Sequence, residues 1–317
     1  MLKSNAFVLS LLLLLMELPL TGQTHSGAFE HYKQLNEAET RLSEYKDSDD
    51  LLLLKLEQIN HINKSRKRHR AQPVKLDILA SRVANKIATE AALNNYMGHW
   101  NLNGEKPYIR YALAGGVDHV TENASSISFS QILKPTDENK TRFMQEAHDT
   151  FMRERTPNDG HKKNCIHPAH NYAGIGVAWH NKEFRYYELF IDRYLEIKPF
   201  EKTQNTNTRI TLEIKPTLSK LFIYAAVVYY EPFPKSMTPR KINRLTQYED
   251  FTNTTHHSIA PWEFSPKDKN GFQSFSFTPD RKGYYYCQIY LSPHQYKKGK
   301  ASTKGKLPAS GIVIRVD

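Results

Sequence analysis

Two stretches of this 317-residue chain carry imidazoles and carboxylates that a globular fold can bring together. Residues 97–123 read MGHWNLNGEKPYIRYALAGGVDHVTEN and hold His99 and Glu122. Residues 151–187 read FMRERTPNDGHKKNCIHPAHNYAGIGVAWHNKEFRYY and hold Glu154 and His161. Imidazole nitrogen and carboxylate oxygen suit zinc and related divalent ions, and the same groups can shuttle protons to and from water. The spacing by itself matches no short metal motif, because HExxH and CxxC are both absent. A single histidine is more often a surface or hydrogen-bonded residue than a ligand. Glu146 competes with Glu154 for the second carboxylate position, and His119 and His148 are read as ordinary structural residues. No GxSxG elbow is present. Cys165 lies four residues from His161, without the orienting partner that a thiol nucleophile needs.

Several elements must position these groups. Residues 76–97 place Leu76, Leu79, Val83, Ile87 and Ala91 at spacings of three and four, an amphipathic helix that Gly98 closes just before His99. Asp49 and Asp50 open an earlier apolar helix through residues 51–63. The basic run KSRKRHR at 64–70 is expected to end it as a solvated loop, with a processing or glycan-binding site as the other reading. A Ser/Asn/Thr-rich connection follows Glu122. A helix over 142–155 then puts Phe143, Ala147, Phe151 and Met152 on one side, and Pro157 with the Asn158, Asp159, Gly160 turn stops it. Residues 172–179 and 184–194 read as a hairpin in which Tyr186, Tyr187, Phe190 and Tyr194 pack as strand aromatics. Gly104, Gly115 and Gly116 are expected in turns with positive φ, and Arg110 is expected to pair with a buried carboxylate or carbonyl.

In order and interval this pattern resembles the CAP superfamily of cysteine-rich secretory proteins, antigen 5 and pathogenesis-related proteins. The matching positions are a helix, His99, Gly104, Arg110, Glu122 with Asn123, Gly160 with His161, and Gly174 with Gly176, over about residues 51–196. The resemblance implies an α-β-α sandwich and a cleft with two His and two Glu. It assigns His99, Glu122, Glu154 and His161 as a divalent-metal site, with zinc or a similar ion as cofactor. Some members are linked to proteolysis and others to sterol or lipid carriage. With only Cys165 and Cys287, the chain lacks the several disulfides of many eukaryotic members. Those two are either one bridge across two predicted domains or two free thiols.

Residues 1–22 read as a secretory signal peptide, with Lys3 before a leucine-rich run too short for the roughly 20 residues of a membrane span. A secreted, extracellular protein without an integral membrane anchor is expected. Residues 23–50 read as a linker or peripheral helix, 51–197 as the first domain and 198–207 as a linker. Residues 208–317 read as an all-β immunoglobulin-like or fibronectin-like sandwich, so the fold class is α+β. Sequons stand at Asn63, Asn123, Asn139 and Asn253, and the one beside Glu122 is the poorest acceptor. The net charge of +11 is unevenly placed: residues 198–317 hold nineteen Lys or Arg against nine Asp or Glu. That balance suits an extracellular polyanion such as an acidic glycan or anionic lipid head, or else a solubilising face. No nucleic-acid partner is expected. Lys297, Lys298, Lys300, Lys304 and Lys306 are the candidate polyanion residues. The leading function is extracellular binding or adhesion through a metal- or ligand-holding cleft. A metal-dependent hydrolase and a sterol or lipid carrier are the alternatives.

Overall fold

The computed structural model describes residues 24–245 and 254–317, so the predicted leader and the sequon at Asn253 lie outside the described residues. The first half runs α1 (Thr24–Ala38), α2 (Asp49–Arg68), β1 (Lys75–Leu76), α3 (Ile78–Leu93), α4 (Pro107–Leu113), β2 (His119–Ser128), α5 (Asp137–Arg153), α6 (Gly160–Cys165), β3 (Tyr172–His180) and β4 (Glu183–Asp192). Its four strands form a sheet in the order β1-β3-β4-β2, with β1 parallel to β3 and the other pairs antiparallel.

Helices cover both faces of this sheet, and β4 shows why. Its alternate residues Phe184, Tyr186 and Phe190 join Leu52, Ile59 and Ile62 of α2 and Phe143, Ala147 and Phe151 of α5 in one core. Tyr187, Leu189 and Ile191 turn the other way and join Leu79, Val83 and Ile87 of α3. Side chains alternate across a strand, so a strand between two helical layers is apolar on both faces. Each fully buried Leu, Ile or Phe contributes roughly 1.5–3 kcal/mol. Asp77 caps α3 by accepting from the Ala80 N–H. This helix lies directly on β3: a Cβ at Gly174 would come within 2.5 Å of Ala80, and one at Gly176 within 2.3 Å of Ala84.

Two local expectations fail for identifiable reasons. The basic run does not break α2, which continues to Arg68. Arg66 is fully buried, and its guanidinium donates to the carbonyls of Gln72, Cys165, His167 and His170. The polar connection after Glu122 is instead the strand β2, paired to β4 along its whole length. Its Val120 and Ala124 are buried, but the intervening polar residues hide the apolar alternation. Helix α5 starts at Asp137, earlier than the expected residue 142, under a Thr136 cap. Gly104 and Gly115 have positive φ as expected, whereas Gly116 serves close approach, since a Cβ there would lie 2.2 Å from the Tyr111 ring.

The second half contains β5 (Leu195–Ile197), β6 (Thr203–Gln204), β7 (Ile210–Pro216), β8 (Phe222–Glu231), α7 (Pro239–Ile242), β9 (Thr255–Ile259), β10 (Gln273–Phe277), β11 (Gly283–Ser292), β12 (Leu307–Pro308) and β13 (Ile312–Val316). A sheet β10-β7-β5 packs on a sheet β6-β13-β11-β8-β9, with β12 beside β11. Leu212, Ile214, Phe275 and Phe277 meet Val228, Tyr285, Cys287, Ile289 and Ile314 between them. Strand β11 also serves both halves: Tyr284 and Tyr286 turn into the first half's core, beside Tyr108, Ile109 and Ala112. Cys165 and Cys287 are both free and buried.

Candidate functional site

The turn after α3 delivers His99 to the edge of the sheet, where β2 is the outer strand. The Tyr187 hydroxyl anchors this turn on the Gly98 carbonyl at 3.1 Å. His99 Nδ1 lies 3.0 Å from Glu122 Oε1, and Glu122 Oε2 accepts from Arg110 Nη2 at 2.5 Å. Arg110 Nη1 also donates to the His99 carbonyl at 2.6 Å, so one guanidinium of α4 ties down both partners. Burial opposes the Arg110 charge, but the Glu122 carboxylate outweighs it and the guanidinium pKa is raised. The sequence expectation for Arg110 is met.

Glu154 follows the last residue of α5 and His161 sits in α6. His161 Nδ1 is 2.5 Å from Glu154 Oε1, while Glu154 Oε2 accepts from the backbone N–H of His161 at 2.9 Å and of Lys162 at 3.2 Å. The Phe151 ring stacks on His161 at 4.8 Å. Glu146 is exposed on the outer side of α5 and does not line this cleft. The rings of His99 and His161 have their centres 6.5 Å apart. All four predicted residues line one cleft of about 800 Å³, to which Leu245 and Pro308 of the second half add a wall. They meet there as two His–carboxylate pairs. Among the described residues, no three of them bring ligand atoms within 4.8 Å of one another.

Under the cleft floor lies a sealed polar network. His148 Nδ1 is 2.8 Å from Glu188 Oε1, which also accepts from the Tyr186 hydroxyl at 2.8 Å. Cys165 Sγ faces Glu188 Oε2 at 3.5 Å, and Asn123 Nδ2 faces that sulfur at 3.1 Å. Burial pushes the Glu188 carboxyl up, but the His148 imidazole and hydrogen bonds from His148, Tyr186 and Asn123 hold it below its usual value. Burial and the Glu188 charge push the Cys165 thiol well up, so it is no accessible nucleophile. Asn123 is 1% exposed and bonded inward, which leaves its sequon no route to a glycan in the folded protein.

The far end of the same cleft carries groups that the sequence reading passed over. His167, His170 and Asp192 bring ligand atoms within 4.8 Å of one another, and His119 lines the cleft beside them. The available signal was HPAH, two histidines three residues apart, but Asp192 joins them only through the pairing of β3 with β4, which sets Tyr172 opposite Ile191.

The five lysines share one segment between β11 and β12. Lys297, Lys298, Lys300 and Lys304 are exposed, whereas Lys306 is half-buried with Nζ 4.2 Å from the centre of the Tyr224 ring. Trp262, 62% exposed, lies against Tyr296 at the start of this segment, with ring centres 5.3 Å apart.

No helix among the described residues is long and apolar enough to cross a membrane. No curated protein matches the sequence. Among solved structures, an extracellular protein containing an SCP domain from Bacillus anthracis is 17% identical, over 44% of this chain and 40% of its own, with a TM-score of 0.34. This chain thus spans well under half of that protein's length. An outer surface protein of Borrelia burgdorferi is also 17% identical, over 46% of this chain and 94% of its own, with a TM-score of 0.35. The family model described as the cysteine-rich secretory protein family matches residues 59–190, which span His99, Glu122, Glu154 and His161. Residues 59–190 of this chain are a CAP domain, joined to a strand-rich second half.

Proposed function

We propose that this is a secreted binding protein whose CAP cleft takes one divalent metal ion between His99 and His161. Glu122 and Glu154 hold the two rings rather than completing the coordination sphere. The observation that carries this reading is the reciprocal arrangement of the pairs, with each imidazole met at Nδ1 by its own carboxylate and the two rings 6.5 Å apart. A carboxylate on one ring nitrogen fixes the tautomer and makes the other nitrogen the better ligand, as in many zinc sites. Two imidazoles sharing one ion at Zn–N distances of about 2.1 Å place their ring centres at most about 6.5 Å apart, and about 5.3 Å at a tetrahedral angle. The cleft therefore stands at the open end of the range, and a closure of about 1 Å reaches a bent geometry. Bound there, zinc would act as a Lewis acid or as a fixed positive charge for an anionic ligand.

The geometry favours binding over hydrolysis. A hydrolase needs a carboxylate placed to take a proton from metal-bound water. Here Glu122 is occupied by His99 and Arg110, and Glu154 by His161 and two backbone N–H groups. The exposed lysine segment with Trp262 and Tyr296 supports a second contact, to an acidic glycan: lysines supply charge and the rings a stacking face. Metal analysis of the purified chain after zinc loading tests the cleft reading: the His99→Ala, His161→Ala variant is expected to hold one equivalent fewer than the wild type. If His99→Ala and His161→Ala leave the zinc content unchanged, the cleft reading fails. A peptide-hydrolysing activity lost in the same variants would move the protein to the hydrolase class.

A further inference from the structure

We infer that the far end of the cleft is a second divalent-metal site, formed by His167, His170 and Asp192. The three offer ligand atoms within 4.8 Å of one another, which is the donor set of two imidazoles and one carboxylate that first-row transition ions such as zinc accept. This inference rests on residues separate from the His99 and His161 pair.

The site is built rather than incidental. Buried Arg66 binds the carbonyls of Cys165, His167 and His170, which fixes the loop carrying both histidines. Phe190 stacks beneath His170 with ring centres 5.0 Å apart. Asp192 is 1% exposed at the end of β4, opposite His119 in the β2–β4 register. Asp192 lines the cleft; its Oδ1 lies 2.6 Å from His170 Nδ1, while its Oδ2 is buried and has no hydrogen-bond partner among the described residues. A buried carboxylate oxygen without a donor is costly unless something positive completes it. His170 faces oxygen at both ring nitrogens, Asp192 Oδ1 at Nδ1 and Asn164 Oδ1 at 3.0 Å from Nε2. An arriving ion takes the place of the Nδ1 proton, which leaves to bulk water. His167 is exposed, with its ring centre 5.0 Å from that of His170, and supplies the solvent side of the site.

The contrast with His148, Cys165 and Glu188 is instructive. That group has the same density of donors, but it is fully buried and both Glu188 oxygens already accept hydrogen bonds. It is a core network with no path for an ion, whereas Asp192 has both an unfilled oxygen and an open cleft beside it.

Calorimetric titration of the chelator-stripped full chain with Zn²⁺ tests the assignment. The wild type is expected to bind two ions and the His99→Ala, His161→Ala variant one. Adding His167→Ala or Asp192→Asn to that variant should weaken the remaining ion at least tenfold. His167 is exposed, so its replacement leaves the fold intact and the outcome readable. One ion in the wild type that ignores His99→Ala, His161→Ala but is lost with His167→Ala supports this site and rejects the first. No binding in the His99→Ala, His161→Ala variant, or binding there that survives His167→Ala undiminished, overturns the inference.

Discussion

Arg66 should be far more sensitive to alanine substitution than its neighbours in the basic run. Arg66 has no carboxylate within ion-pair distance among the described residues; its charge is met by four carbonyls, at 2.8 Å for Gln72, 2.6 Å for Cys165, 3.1 Å for His167 and 3.0 Å for His170. Arg66→Ala leaves those carbonyls without their donor, and each unsatisfied buried group costs about 1–3 kcal/mol. Two effects offset part of the loss: the cost of burying the charge disappears, and water enters the vacated space. A net destabilisation of about 3–5 kcal/mol is expected, of the order measured when a buried charged group is removed from its partners. At roughly 2–4 °C per kcal/mol for domains of this size, the transition falls by about 10 °C. Lys67 and Arg68 are exposed one and two residues later, and their alanine variants should lie within about 0.5 kcal/mol of wild type. Urea unfolding under reducing conditions, followed by circular dichroism, measures all three. Arg66→Met separates packing from hydrogen bonding, because it restores most of the volume and none of the donors. The reasoning is refuted if Arg66→Met is as stable as wild type, or if Arg66→Ala is no worse than Arg68→Ala.

Further outcomes follow from other parts of the structure. Glu188→Gln should cost about 3 kcal/mol at neutral pH, since it removes the carboxylate facing buried His148. The Glu188 carboxyl lies below its ordinary 4.5 in the folded state, so its stabilisation is complete above about pH 4.5 and lost as pH falls through the lower folded value. The Gln variant should therefore show a flatter acid limb in a stability–pH profile; an unchanged limb means that Glu188 is not what titrates. Gly176→Ala drives a methyl to within 2.3 Å of the Ala84 backbone and should cost several kcal/mol by thermal unfolding, with a near-neutral result showing that α3 can lift off β3. Replacing Lys297, Lys298, Lys300 and Lys304 with Gln should lower the salt at which the protein elutes from heparin, and Lys306→Gln alone should do little because that side chain lies over Tyr224. Unchanged retention in the fourfold variant counts against the glycan contact.

What the sequence disclosed and what it hid divide along physical lines. Period and turn chemistry located α3, the β3–β4 hairpin and the main strands of the second half, because their apolar faces repeat at helical or strand spacing. The ordered positions from His99 to Gly176 marked the domain. Strand β2 was hidden because a polar sequence is held there by its partner β4 rather than by its own alternation. Arg66 was hidden because a charge run looks solvated until the loop whose carbonyls it binds is folded over it. The roles of Glu122 and Glu154 were ambiguous for a similar reason: a carboxylate that ligates an ion and one that orients a ligand have the same spacing in the chain. Asp192 could not be tied to His167 and His170 without the β3–β4 register that sets Ile191 opposite Tyr172.

The central claim is that the two cleft imidazoles hold a metal while their carboxylates hold the imidazoles. Crystals of the protein grown near neutral pH with Zn²⁺, and measured on both sides of the zinc absorption edge, test it most directly. The account predicts an anomalous peak between His99 and His161, about 2.1 Å from one nitrogen of each ring, with Glu122 and Glu154 still on the two Nδ1 atoms. A peak coordinated by Glu122 and Glu154 with the rings turned away, or no peak between the rings at saturating zinc, would contradict it.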